Sequence, residues 1–146
     1  MSERLRGRYE PLDVVGRGGQ GEVVKALDHL HNRVVAIKVR RSAPEQREAL
    51  LEEARTLLNL EPHRGLPIVR DDFFEGDRYY MVMDWIEGTN LQHVLEQRGD
   101  PGLPYTTVLA YLSPVAEALD HLHAQEPPVV HQDVKPANLI LTGRGR

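Results

Sequence analysis

Apolar residues in the first forty positions come in short runs separated by glycines and polar turns, the spacing of β structure rather than of helices. Tyr9–Val15 is a first run, leading into a glycine cluster, and Val23–Leu27 is a second. Val34-Val35-Ala36-Ile37-Lys38-Val39, after a polar turn at 28–33, is a third, continuous and rich in β-branched residues. Three such strands joined by short turns predict an antiparallel meander. The period then changes. Ser42 and Pro44 mark a helix start, and over Glu45–Leu60 the residues Leu50, Leu51, Ala54, Leu57, Leu58 and Leu60 fill one side at about 100° per residue. Two more strands, Ile68–Phe74 and Tyr79–Trp85, flank the turn Glu75-Gly76-Asp77, and Glu87–Asn90 then interrupts the sheet pattern. Beyond it the pattern predicts a short helix at Leu91–Arg98, a Gly/Pro-rich loop, and a long helix at Tyr105–Ala124. The long helix carries Leu109, Leu112, Val115, Ala116, Leu119 and Leu122 on its apolar face. Pro114 lies inside that helix and predicts a break or kink, with Ser113 placed to cap a restarted segment.

Composition narrows the class without choosing a function. A chain of 146 residues with 40% hydrophobic and 27% charged residues is ordinary for a globular protein, and a net charge of −4 gives no reason to expect nucleic-acid or anionic-membrane binding. There are no cysteines, which excludes disulfides and thiolate metal sites. No apolar run reaches the roughly 20 residues of a membrane span. Met1–Arg6 has alternating charges and no apolar h-region, so the expected location is the cytoplasm.

Three groups of residues carry candidate chemistry. Gly16-Arg17-Gly18-Gly19-Gln20-Gly21-Glu22-Val23 is a G-x-G-x-x-G-x-V pattern. Alone it reads equally as a glycine-rich hairpin turn, but it stands between two strands, whereas a dinucleotide fingerprint opens a helix. Glycines there let backbone N–H groups close over phosphate oxygens. Lys38 ends the apolar run of the third strand, and Glu53 falls inside the apolar stripe of the following helix, with Glu52 roughly opposite it. A carboxylate on a buried stripe needs a cation, and Lys38 is the expected partner. The most specific segment is His131-Gln132-Asp133-Val134-Lys135-Pro136-Ala137-Asn138, an H-x-D-x-K-x-x-N run between the apolar runs Val129-Val130 and Leu139-Ile140-Leu141. It offers a carboxylate to deprotonate a hydroxyl, an ammonium to neutralise phosphate, and an amide oxygen to hold a metal. The other histidines show no metal-ligand spacing.

As an ordered set, from about Tyr9 to Leu141, these residues resemble the eukaryotic-type Ser/Thr protein kinase family, particularly its bacterial members. The resemblance implies an α+β fold. Residues 1–88 would form an N-lobe, a five-stranded antiparallel sheet plus one helix, and 89–146 the mainly helical start of a C-lobe. It implies ATP and Mg²⁺ as cofactors and a protein Ser/Thr hydroxyl as substrate. Gly16, Gly18 and Gly21 would cover the phosphates, with Val23 and Ala36 above the adenine and Ile140 beneath it. Met83 would be the gatekeeper, and the backbone of Asp84 and Ile86 would bond the adenine edge. Lys38 would grip the α- and β-phosphates and pair with Glu53. Asp133 would be the base, Lys135 the phosphate-neutralising cation, and Asn138 a metal ligand.

Two departures qualify the expectation. Gln132 stands where the family usually has arginine, which implies weak dependence on phosphorylation of an activation loop. The sequence also stops at Gly143–Arg146, before a D-F-G segment, so the chain alone is expected to be inactive and to self-associate through the bare face of its long helix. Two rival readings stay open: a small-molecule phosphotransferase with a kinase-like fold, and a non-catalytic nucleotide-binding or interaction module.

Overall fold

A computed structural model describes residues 4–18, 21–98, 102–125 and 139–142, which fall into two compact units. The first comprises Met1–Glu61 and Pro67–Trp85, the second Pro62–Leu66 and Ile86–Arg146.

The first unit is a five-stranded antiparallel sheet with one helix. Its strands are β1 (Tyr9–Gly18), β2 (Gly21–Asp28), β3 (Arg33–Arg41), β4 (Val69–Glu75) and β5 (Arg78–Asp84), in the order β1-β2-β3-β5-β4. The meander and the following hairpin are where the apolar runs and turns placed them. Tyr9, Val24, Ala26, Val35, Ile37, Val39, Phe73, Tyr80 and Val82 form one buried cluster. The edge strands meet across it: Tyr9 of β1 stacks on Phe73 of β4 at 5.9 Å between ring centroids, and its hydroxyl donates to Asp71 at 3.1 Å. The sheet is therefore curled, and burial together with the Asp71 charge pushes the Tyr9 phenol up to about 12.

The open end of the β1–β2 hairpin is tied by an ion pair. Asp28, only 1% exposed, accepts from Arg8 Nε at 2.8 Å and Nη2 at 2.9 Å, and from the Leu30 N–H at 2.9 Å. The guanidinium holds the Asp28 carboxyl down at about 2, against the opposing effect of burial.

Helix α1 (Arg47–Leu58) follows a single 3-10 turn at Pro44–Gln46. Ser42 does not cap it; the Gln46 side chain accepts from the Ala43 N–H at 3.2 Å. Its buried side is narrower than the sequence implies. Leu50 and Ala54 pack with Tyr79 and Met81, and Leu57 joins them partly buried, whereas Leu51 and Leu58 are exposed.

In the second unit, helix α2 spans Leu91–Arg98 and helix α3 Tyr105–His123. The break expected at Pro114 does not occur: α3 is continuous through it. The Ser113 hydroxyl, instead of capping a new segment, donates back to the Leu109 carbonyl at 2.8 Å. Ala118 and Leu122 are the buried residues of α3, while Tyr105, Leu109 and Leu112 are exposed. Residues expected only to interrupt the sheet form a strand of their own: β6 (Gly88–Asn90) pairs with β7 (Ile140–Thr142) in a separate two-stranded sheet. No helix among the described residues is long and apolar enough to cross a membrane.

Candidate functional site

Strand register assembles one side of the candidate site. Val23 lies opposite Lys38, Lys25 opposite Ala36, Ala36 opposite Met83, and Lys38 opposite Met81. Directly paired residues share a face, so Val23, Ala36, Lys38 and Met83 are neighbours on the face that α1 partly covers. The Tyr79–Met81 end of that face is filled by Leu50 and Ala54 of α1. The Val23–Ala36–Met83 end offers a small apolar surface beside a lysine.

The glycine cluster sits at the tip of the β1–β2 hairpin, with Gly16 opposite Val23 and Gly18 opposite Gly21. The hairpin reading and the phosphate-loop reading therefore describe the same object. Gly21 has a positive φ of 135°, and a Cβ placed on it would collide with the Val39 carbonyl oxygen. Only glycine lets the hairpin lie this close to β3. Gly21→Ala is expected to cost about 1–3 kcal/mol, read as a lower urea midpoint with an unchanged slope.

The strand that leaves the sheet toward the second unit is fixed on three sides. The Arg70 guanidinium grips the Asp84 carboxylate at 2.9 and 3.1 Å, and the Asp84 N–H donates to the Ile68 carbonyl at 3.0 Å. Lys25 Nζ lies 4.7 Å from the centroid of the Trp85 ring, a cation–π contact that the sequence pattern does not reveal. Asp84 and Ile86 are each partly buried. In the second unit Ile140, on β7 opposite Asn90, is 42% exposed.

The expected Lys38–Glu53 pair is not formed. Glu53 Oε2 lies 3.6 Å from Arg40 Nη1, with the Glu53 side chain 53% exposed. The helical projection explains the difference. Leu50, Ala54 and Leu57 point at the sheet, and Glu53, about 60° from Leu50 at 100° per residue, flanks that stripe instead of lying within it. A carboxylate there stays partly hydrated and does not require a buried cation. Arg40, on the same face of β3 two residues beyond Lys38, reaches it first; the alternation of the strand was the available signal. Nearby, the Tyr79 hydroxyl donates to Asp72 at 3.1 Å, and burial with the Asp72 charge pushes that phenol well above its usual range. Among the described residues Lys38 is exposed and has no ion-pair partner.

Asp133, Lys135 and Asn138, with His131 and Gln132, lie outside the described residues. A separate surface cleft of about 650 Å³ is lined by Arg6, Arg8, His31, Arg33, Arg70 and Asp71. Its charge is largely cancelled internally, because Arg8, Arg6 and Arg70 are paired with Asp28, Asp71 and Asp84. It lacks the apolar surface an aromatic base needs.

Comparison with known proteins matches residues 9–146 to the family described as the protein kinase domain. The chain is 36% identical over 151 residues to the serine/threonine-protein kinase PknA of Mycobacterium tuberculosis, covering 97% of this chain and 34% of that protein. It is 31% identical over 149 residues to the serine/threonine-protein kinase PrkC of Bacillus subtilis, covering 99% of this chain and 22% of that protein. A probable serine/threonine-protein kinase of Clostridium perfringens is 33% identical over 145 residues, covering 97% of this chain and 20% of that protein. The chain thus spans between a fifth and about a third of the length of these relatives.

Proposed function

Because the chain belongs to the protein kinase family, we propose that it carries the nucleotide-binding lobe and catalytic loop of an ATP-dependent Ser/Thr protein kinase. The observation that carries this reading is the register that puts Val23, Ala36 and Met83 on one face with Lys38 opposite Val23, next to a glycine hairpin that tolerates no Cβ at Gly21. A flat apolar surface beside a cation, bordered by a hairpin that brings bare backbone close, fits an aromatic base joined to phosphates.

Bound Mg-ATP supplies the electrophilic γ-phosphorus and the divalent charge that offsets its oxygens. The residues of the chain do the rest. Val23 and Ala36 take one face of the base, Met83 its inner end, the backbone at Asp84 and Ile86 its polar edge, and Ile140 the other face. Gly16, Gly18 and Gly21 allow backbone N–H groups to approach the phosphates, and Lys38 neutralises the α and β groups; Glu53, which meets Arg40 in this structure, would position it by shifting to it. Asp133 orients a substrate hydroxyl and accepts its proton, Lys135 offsets charge on the transferred group, and Asn138 ligates the metal. The work is positioning and charge stabilisation. The proposed setting is the cytoplasm. The exposed Tyr105, Leu109 and Leu112 on α3 are the proposed surface for self-association, to be read by sedimentation of the 146-residue chain.

The test is incubation of the full-length protein with γ-labelled ATP, Mg²⁺ and a generic basic protein. Label appearing as phosphoserine or phosphothreonine, and lost on removing Mg²⁺, is the expected result. Label transferred only to a small molecule, or nucleotide bound without transfer, would overturn it in favour of a metabolite phosphotransferase or a non-catalytic module.

A further inference from the structure

Two cations stand beside one carboxylate on the face of the sheet that α1 covers. Lys38 and Arg40 are two residues apart on β3, so both project from the face that α1 covers, opposite Met81 and Tyr79 respectively. Leu50 and Ala54 hold α1 against those same two residues of β5. Glu53, on the flank of the helix, therefore lies above a strip of β3 on which the two cations stand about 7 Å apart, within the combined reach of long side chains. In the structure its carboxylate lies 3.6 Å from Arg40, longer than a hydrogen bond, with the two side chains 29% and 53% exposed.

We propose that Arg40 is a competing partner for the Glu53 carboxylate, so that α1 alternates between Glu53 on Arg40, with Lys38 released, and Glu53 on Lys38, with Lys38 fixed for phosphate. This rests on the reading of Lys38 as the phosphate-binding cation. The Arg40 contact is weak by construction. It is not the bidentate fork that makes arginine–carboxylate pairs strong, and partly exposed pairs bias an equilibrium by no more than about fivefold. Apparent affinity for a ligand falls by the fraction of molecules in the competent state. Arg40 thereby acts as a brake of small amplitude. Bound phosphates release it, because they favour the arrangement in which Lys38 is positioned. Arg40 is a positioning residue, acting through Glu53 and Lys38.

The experiment measures Mg-ATP affinity and the KM and kcat of phosphoryl transfer for the full-length protein and its variants. Arg40→Met, which keeps the apolar stem of the side chain, is expected to tighten Mg-ATP binding about three- to fivefold, with the change in KM rather than kcat. Arg40→Lys should stay near wild type, since a cation is retained. In a Glu53→Gln background, Arg40→Met should have no further effect. Unchanged or weaker nucleotide binding by Arg40→Met overturns the proposal, as does an equal gain in the Glu53→Gln background, which would mark a general charge effect. Arg40→Gln, followed alongside by thermal melting, gives the same comparison if the methionine variant does not fold. Nucleotide binding that is indifferent to Lys38→Met would instead refute the kinase reading itself, whatever Arg40 does.

Discussion

Asp133→Asn in the full-length protein is expected to lower kcat for transfer to a protein hydroxyl about 10²–10⁴-fold, the range for removing a positioned general base. Asparagine keeps the size of the side chain and can still bond a hydroxyl, but it cannot accept the proton as the oxygen attacks. Nucleotide affinity should move by less than about twofold, because the lost interaction belongs to the transition state. Lys38→Met should behave differently. That side chain is read as a ligand of the bound phosphates, so its loss should raise the KM for ATP as well as lower kcat. The pair of variants separates the two roles in one assay. Phosphotransfer retained by Asp133→Asn would show that the H-x-D-x-K-x-x-N run is not the catalytic loop, and the functional proposal would fall with it.

The sheet was legible because its code is local. Short apolar runs, β-branched residues and turn residues at 28–33 and 75–77 needed no distant partner to be read, and β1 to β5 lie where they were expected. Family membership was legible for a related reason: phosphate chemistry demands particular residue types at fixed spacing, and Gly16, Lys38, Asp133 and Asn138 stand in that order. What the sequence concealed depends on angles and on competition between partners. Glu53 was placed inside the apolar stripe when it flanks it, because Leu60, on its far side at 100° per residue, widened the apparent stripe although α1 ends at Leu58. Pro114 looked like a helix break or kink, but α3 runs unbroken through it, the roughly 3 kcal/mol that an interior proline costs being set against the remaining backbone bonds of a 19-residue helix. The strand at Gly88–Asn90 was unreadable because its partner, Ile140–Thr142, is some fifty residues away. The Arg8–Asp28 pair was missed outright, since nothing in either segment announces that an aspartate ending one strand will be buried.

That pair supports the second large effect, and the expected result is asymmetric. Arg8→Met leaves the Asp28 carboxylate, 1% exposed, with backbone donors but no cation, and breaking a buried pair in this way costs about 3–5 kcal/mol. Asp28→Asn leaves Arg8, whose side chain is 28% exposed and 4.0 Å from Asp71. It can rehydrate or lean on that second carboxylate, so the cost should be nearer 1–3 kcal/mol. The double variant should be less destabilised than the sum of the two, because the second substitution removes the group that the first left stranded. Acid provides an independent check. The Asp28 carboxyl is lowered from 3.8 to about 2 by Arg8, so the folded state holds the proton more weakly than the unfolded chain. Its contribution, about 2 kcal/mol for a shift of this size, is therefore complete above about pH 4 and lost as the pH falls toward 2. In Arg8→Met burial acts unopposed by the cation, the folded carboxyl rises, and the sign reverses: stability lost at neutral pH is partly regained on acidification. Urea midpoints of the three variants between pH 7 and pH 2 measure both effects. Equal, small losses for Arg8→Met and Asp28→Asn would show the pair to be a solvated surface contact. The consequence reaches the site, because Tyr9 opposite Asp28 and Gly18 opposite Gly21 are the two ends of one hairpin. An ion pair that locks the first end fixes the register in which the glycines arrive at the second.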